Sequence, residues 1–151
     1  YYFGYLGFCD IKKAIHYFTI AAKFNHIHSH FYLGIIYLIG NEVPRDINKS
    51  LYYLKYSADN NDTKASYFLG QIYYEGINVT PDINKSIHYF KNAACFKDGK
   101  SKNNLGVIYK NGEGVNKNQG LAIQYFKEAI NDEKNSFACF NLAKIYKYEY
   151  H

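Results

Sequence analysis

Leu33-Gly34-Ile35-Ile36-Tyr37 is answered 36 residues later by Leu69-Gly70-Gln71-Ile72-Tyr73, and after another 36 by Leu105-Gly106-Val107-Ile108-Tyr109. One more step, with a single extra residue, reaches Leu142-Ala143-Lys144-Ile145-Tyr146. A second block keeps the same register. Asp10-Ile11-Lys12-Lys13-Ala14-Ile15-His16-Tyr17-Phe18 is followed by copies that begin at Asp46, Asp82 and Asn118. Each copy carries a small residue three positions beyond its end: Ala21, Ser57, Ala93 and Ala129. A fixed period of this length marks a stack of repeated units.

Both blocks have helical periodicity, with apolar or small residues at i, i+3, i+4 and i+7, as in Ala14, Tyr17, Phe18 and Ala21. Asp10, Asp46, Asp82 and Asn118 stand where a side-chain oxygen can accept a free N–H at a helix start. Gly40, Gly76 and Gly112 stand where a residue with positive φ can end one. The spacing predicts A helices near 28–39, 64–75, 100–111 and 136–147, and B helices near 10–23, 46–59, 82–95 and 118–131. Leu6-Gly7 is a poorly registered remnant of an earlier A helix. Units follow at about 1–27 (partial), 28–63, 64–99, 100–135 and 136–151 (partial), all in one repeat domain. Glycine inside a helix costs about 1 kcal/mol against alanine. Its recurrence at Gly34, Gly70 and Gly106, with Ala143 in the same place, therefore implies close approach of a neighbouring helix. A lone helix pair cannot bury both its apolar faces, so the pairs must stack.

These residues resemble the Sel1-like repeat family. Its pattern is Ala-x-x-x-Leu-Gly-x-x-Tyr, a Gly-x-Gly-Val-x-x-Asp loop, then Lys-Ala-x-x-Tyr-x-x-x-Ala-Ala. Leu105-Gly106-x-x-Tyr109, Gly112-Glu113-Gly114-Val115 and Ala122-x-x-Tyr125-x-x-x-Ala129 give the best single match. Ala65 to Gly70 match the opening and Lys85 to Ala94 the close. The departures are Glu42 and Asn78 for the second loop glycine, and Asn118 for the loop aspartate. Tetratricopeptide repeats share Leu-Gly-x-x-Tyr, but their period is about 34 residues with a helix A tryptophan. This chain has a longer period and no Trp. The resemblance implies an all-α, right-handed α/α solenoid of antiparallel helix pairs, with the A helices on a concave face.

On that face, the positions that vary between units are the candidates for contact with a partner. One row is Tyr32, Phe68, Asn104 and Asn141; a second is Ile35, Gln71, Val107 and Lys144; a third is Leu38, Tyr74, Lys110 and Lys147. All are expected to be exposed. The first two units offer apolar and aromatic groups and the last two offer Asn and Lys, a combination suited to an extended peptide or partner helix with an acidic stretch. The resemblance implies a scaffold or adaptor that binds other proteins. Its best-known eukaryotic role is in a ubiquitin ligase of endoplasmic-reticulum-associated degradation. The alternatives are a structural subunit or assembly factor of a large complex, and a β-lactamase-like hydrolase. Relatives of that last kind carry a cysteine pair in every repeat, and this chain does not.

Composition narrows the remainder. The chain has 151 residues, with 18 basic and 13 acidic residues interspersed and a net charge of +5. No block of five like charges marks a nucleic-acid arm or a polybasic membrane anchor. The apolar run Phe31 to Ile39 is too short to span a bilayer, so no direct membrane contact is expected. The 18 Tyr and 11 Phe are explained as well by codon bias as by aromatic packing. The absence of Met and the opening Tyr1-Tyr2-Phe3 suggest an internal piece of a longer protein. Asn48, Asn61, Asn78 and Asn84 begin N-glycosylation acceptor patterns, which tilt the location from cytoplasm toward the endoplasmic reticulum lumen. Cys9, Cys95 and Cys139 are expected to be buried free thiols; a Cys95–Cys139 bond would require adjacent repeats to bring them together.

No catalytic site, metal site or cofactor is expected. His26, His28 and His30 lack a completing carboxylate or thiol nearby in sequence and are expected to be exposed at a helix start. His16 and His88 share a position that elsewhere holds Tyr52 and Gln124. Cys9 with His16 has no third residue or oxyanion hole. Gly112-Glu113-Gly114 lacks the Lys-Ser/Thr that completes a phosphate loop.

Overall fold

The computed structural model describes residues 10–41 and 43–149. Residues 1–9, with Leu6-Gly7 and Cys9, and the loop residue Glu42 lie outside the described residues. Eight helices follow in order: α1 (Ile11–Lys23), α2 (Ile27–Ile39), α3 (Ile47–Asp59), α4 (Thr63–Glu75), α5 (Ile83–Cys95), α6 (Gly99–Asn111), α7 (Gln119–Glu133) and α8 (Ser136–Glu149). Even-numbered helices are the A helices and odd-numbered ones the B helices. Their bounds fall within one residue of the sequence reading, except that α7 and α8 each run two residues further.

The ends of the helices explain that agreement. Asp10, Asp46, Asp82 and Asn118 each accept from the backbone N–H three residues on, at 3.0, 3.0, 3.0 and 2.9 Å. A helices are capped in the same way by Asp62, Asp98 and Asn135, and α2 by the His26 ring nitrogen. Gly40, Gly76 and Gly112 close the A helices in the left-handed conformation, with φ of 70°, 70° and 77°. From there the loop folds back, and the N–H of Asp46, Asp82 or Asn118 donates to the carbonyl of Tyr37, Tyr73 or Tyr109.

Within each unit the B helix lies over the helical glycine of the A helix. A Cβ on Gly34 would stand 2.6 Å from Leu54 Cγ, on Gly70 2.5 Å from Phe90 Cδ1, and on Gly106 2.6 Å from Phe126 Cε1. The tyrosines beside these contacts stack as Tyr37–Tyr53, Tyr73–Tyr89 and Tyr109–Tyr125, with ring centroids 6.0, 5.9 and 5.7 Å apart. Leu33, Leu69, Leu105, Ile72 and Ile108 are fully buried; Leu69 and Ile72 belong to one apolar cluster and Leu105 and Ile108 to the next, while a third gathers around Phe126 and Ala138.

Every helix packs against its neighbours in sequence. In addition, α4 touches α6 and α6 touches α8, while no comparable contact joins one odd-numbered helix to another. The A helices therefore line the inner edge of the stack and the B helices its outer edge. This is an α/α solenoid.

Candidate partner-binding face

The inner edge carries the three varied rows, and the structure separates their members by exposure. Tyr32, Tyr74, Lys144 and Lys147 are exposed, whereas Ile35, Leu38, Phe68, Gln71, Asn104, Val107, Lys110 and Asn141 are half-buried. The expectation of full exposure is corrected for these eight, because side chains of successive A helices lean on each other along the inner edge. Ile35, Leu38 and Phe68 pack on the cluster around Phe31 and Leu69, with the Phe31–Phe68 centroids 5.8 Å apart.

The exposed aromatics are tied as well. Tyr32 stacks on Phe18 of α1 at 5.2 Å. Tyr74 donates its hydroxyl to Glu113 Oε2 of the next unit's loop at 2.7 Å, and Asn111 donates to the other carboxylate oxygen at 2.6 Å. Burial first, then the Glu113 hydrogen bond, pushes the Tyr74 phenol up to about 12. Loss of its proton would set a phenolate against the Glu113 carboxylate.

Asn141 donates to Asn103 Oδ1 at 3.0 Å. Asn104 makes no side-chain hydrogen bond among the described residues. It borders a hollow of about 560 Å³ lined also by Tyr67, Lys100, Asn103 and Phe137. Lys100 Nζ sits 5.8 Å from the centre of the Tyr67 ring. Lys110, Lys144 and Tyr148 line a second hollow of about 520 Å³, and among the described residues no carboxylate side chain lines it. The other lysines with ammonium groups near carboxylates are matched locally. Lys13, Lys49 and Lys85 meet their own cap aspartates, and Lys102 meets Glu128 and Asp132 at 3.0 and 2.6 Å.

The histidine run is more structural than its sequence implied. His26 caps α2, and its Nδ1 lies 2.8 Å from Ser29 Oγ. His28 meets Asp62, the cap of α4, at 3.1 Å, a carboxylate that local spacing could not reveal. His30 is buried rather than exposed, stacked on Tyr56 at 3.9 Å, because its helical position faces α3. Among the described residues no three His, Cys, Asp or Glu side chains gather as metal ligands, and no helix is long and apolar enough to cross a membrane. Cys95 and Cys139 are free but exposed, and neither belongs to an apolar cluster, which corrects the expectation of buried thiols. Cys9 with His16 cannot be placed, since Cys9 is outside the described residues.

The Sel1 repeat family model matches residues 1–25, 27–62, 63–95 and 99–132. A Sel1 repeat protein from Oxalobacter formigenes is similar over 91% of this chain and 56% of its own, at 30% identity and a TM-score of 0.83. This chain thus spans little more than half of that relative. A protective antigen of uropathogenic Escherichia coli strains, described as having an SLR fold, matches 82% of this chain and 26% of its own at 25% identity and a TM-score of 0.78. Cysteine-rich protein B of Helicobacter pylori matches 88% of this chain and 95% of its own at 28% identity and a TM-score of 0.68. No curated protein matches the chain.

Proposed function

The chain belongs to the Sel1 repeat family, whose members generally serve as scaffolds for protein–protein contacts, and from that premise we propose that its inner face holds a segment of another protein. The observation that carries this reading is the inner position of α2, α4, α6 and α8, which brings the varied residues of successive units into one trough.

The trough changes character along its length. Tyr32 and Tyr74 supply aromatic contact at one end. Asn104 supplies an unengaged amide, and Lys110 and Lys144 supply cations without facing carboxylates at the other. An extended or helical segment with an apolar stretch followed by acidic residues has the matching chemistry. Direct binding of acidic–apolar peptides tests this, using the wild type, a trough variant (Tyr32→Ala, Asn104→Ala, Lys144→Glu) and an outer variant (Lys91→Glu, Gln124→Ala). Loss of binding in the trough variant alone is expected. Equal binding by all three, or loss only in the outer variant, would refute the assignment.

Membership of an endoplasmic-reticulum ubiquitin ligase complex is a narrower reading. It draws support from Asn48, Asn61, Asn78 and Asn84, all of which are exposed. Expression through a eukaryotic secretory pathway, with a glycosidase-sensitive mass increase, is the outcome that this reading requires.

A further inference from the structure

A series of rings runs unbroken through the first units. Phe18 of α1 meets Tyr32 at 5.2 Å, Tyr32 meets Phe31 at 5.4 Å, Phe31 meets Phe68 at 5.8 Å and Phe68 meets Tyr67 at 5.7 Å between centroids. Phe31 and Tyr32 on α2 hold the same two repeat positions as Tyr67 and Phe68 on α4. Rings at these positions therefore join one A helix to the next. On α6 the two positions hold Asn103 and Asn104, and along the A helices the series stops at Tyr67.

Where the series stops there is space. The hollow of about 560 Å³ is lined by Tyr67, Asn103, Asn104 and Phe137. Sites that receive a ligand or an anchoring group measure about 300–1,000 Å³. The hollow lies inside the stack, because α4, α6 and α8 all contribute to its wall. The exposure of Phe137 belongs to its repeat position: His28, Lys64 and Lys100 stand there in the earlier units and are exposed as well.

Its fittings are polar and unused. Asn104 makes no side-chain hydrogen bond among the described residues, and Asn103 commits only its carbonyl oxygen, to Asn141. Lys100 and Lys134 bring two ammonium groups to the hollow against one carboxylate, Glu133. Neither lysine makes an ion pair among the described residues. Lys100 Nζ lies over the Tyr67 ring, 5.8 Å from its centre, so a cation stands beside the last ring of the series.

We propose that this hollow receives one aromatic side chain of the bound segment, a tryptophan or tyrosine next to a carboxylate residue, so that the partner supplies the ring that α6 lacks. The inference rests on the trough reading above and adds to it the residue that anchors the segment. A ring is the shape already accepted between successive A helices at these positions. The indole N–H or phenol O–H donates to Asn104 Oδ1, and the adjoining carboxylate meets Lys100 and Lys134. Large aromatic side chains seated in pockets are the usual anchors of such contacts.

The chain contains no Trp, so the fluorescence of a one-tryptophan peptide reports the ligand alone. A blocked peptide with Trp ahead of two aspartates is titrated directly, and otherwise identical Leu and Ala peptides compete against it. Blue-shifted Trp emission is expected, with the Leu and Ala peptides about tenfold weaker. Asn104→Phe gives α6 the ring that α4 has in Phe68 and closes the hollow; it is expected to bring the Trp peptide down to the Ala peptide. Lys100→Glu, at an exposed position, is expected to weaken all three peptides in equal proportion. Circular dichroism verifies that both variants fold, and the comparison of peptides on the wild type needs neither. Equal affinity of the three peptides, or a Trp preference untouched by Asn104→Phe, would overturn the inference and leave the trough reading standing. Unshifted Trp emission at millimolar chain would overturn it too. A Trp preference lost with Asn104→Phe but kept in a Tyr32→Ala, Lys144→Glu chain would uphold the ring site and refute the longer trough.

Discussion

Gly70→Ala sets two effects of known size against each other. Alanine is the better helix former by about 1 kcal/mol in a helix interior. Against this, the new Cβ would stand 2.5 and 2.6 Å from Cδ1 and Cε1 of Phe90 and 3.0 Å from its Cγ. Carbon atoms rest at about 3.5–4.0 Å, so the ring would have to retreat by roughly 1 Å. Phe90 is fully buried, and the rings of Tyr67 and Tyr74 lie at centroid distances of 6.2 and 6.5 Å. Overpacking of this kind costs about 1–3 kcal/mol. With two ring atoms in close conflict the upper part of that range applies, and the net loss is about 1–2 kcal/mol. Gly120→Ala is the control. It is also helical, in the first turn of α7, but the nearest atom to its added Cβ is Asn118 Oδ1 at 3.6 Å. There the propensity gain stands alone, at about 0.5 kcal/mol in a first turn. Urea unfolding followed by circular dichroism measures both. Opposite signs are expected: a lower midpoint for Gly70→Ala, with a thermal midpoint about 2–6 °C down, and a raised one for Gly120→Ala. A Gly70→Ala protein as stable as wild type would mean that no ring lies over that glycine, and the repeat explanation of all three glycines would fail.

The Lys102 cluster has a definite pH signature. Burial alone would lower the Lys102 pKa, but hydrogen bonds to Asp132 and Glu128 outweigh it, while Gln124 and Lys102 hold Glu128 below the usual carboxylate range. Stability from a lowered carboxylate is present above its unfolded pKa and disappears as pH falls through the folded one. Lys102→Met should therefore cost about 1–3 kcal/mol at neutral pH, and the gap from wild type in thermal midpoint should close below about pH 4. Asp62→Ala removes both the cap of α4 and the partner of His28, and should cost about 1–2 kcal/mol in urea unfolding, with Asp62→Asn recovering most of it. The Tyr89 phenol is pushed up to about 12, by burial first and then by Tyr73. A raised folded pKa contributes stability that is intact below pH 10 and is lost as pH climbs toward 12. In a Tyr89→Phe chain, thermal midpoints between pH 10 and 12 should fall less steeply than in wild type.

The helices could be read from the sequence because their signals are local. Asp46 and Asp82 cap within three residues, and Gly40 and Gly76 end a helix by their own backbone. The period then placed Leu69, Gly70, Ile72 and Tyr73 inside without any knowledge of distant contacts. What the sequence did not disclose depends on contacts between helices that are distant along the chain. Phe68 looked exposed by its variability, yet it leans on Phe31 from the preceding A helix. His30 looked like part of a polar run, yet Tyr56 covers it from 26 residues away. The caps at Asp62 and Asp98 went unread because their positions, unlike Asp46 and Asp82, are filled by His26 and Asn135 in the other units. The shared property there is an acceptor atom, not a residue type.

The same distinction explains why the family is plain and the partner is not. Positions that repeat are consumed by the A–B contact, since a bulky apolar side chain must find a small residue and a tyrosine must find a tyrosine in each of the three A–B pairs. Positions that differ fall into two kinds. Some differ in concert, as when Lys102 with Glu128 and Asp132 replaces His30 with Tyr56 and Asn60; these tie α6 to α7 and α2 to α3 by different chemistry at the same place. Moving Lys102 alone to the place of His30 would bury an ammonium against Tyr56 with no carboxylate to meet it. Others differ without a counterpart among the described residues: there Asn104 has no partner for its amide, and Lys144 meets no carboxylate, only the Phe140 ring. The buried Ser50 and Ser101 hydroxyls also lack a partner, but Asn104 and Lys144 differ from them in lying on the inner edge within reach of solvent, where the proposed segment would meet them.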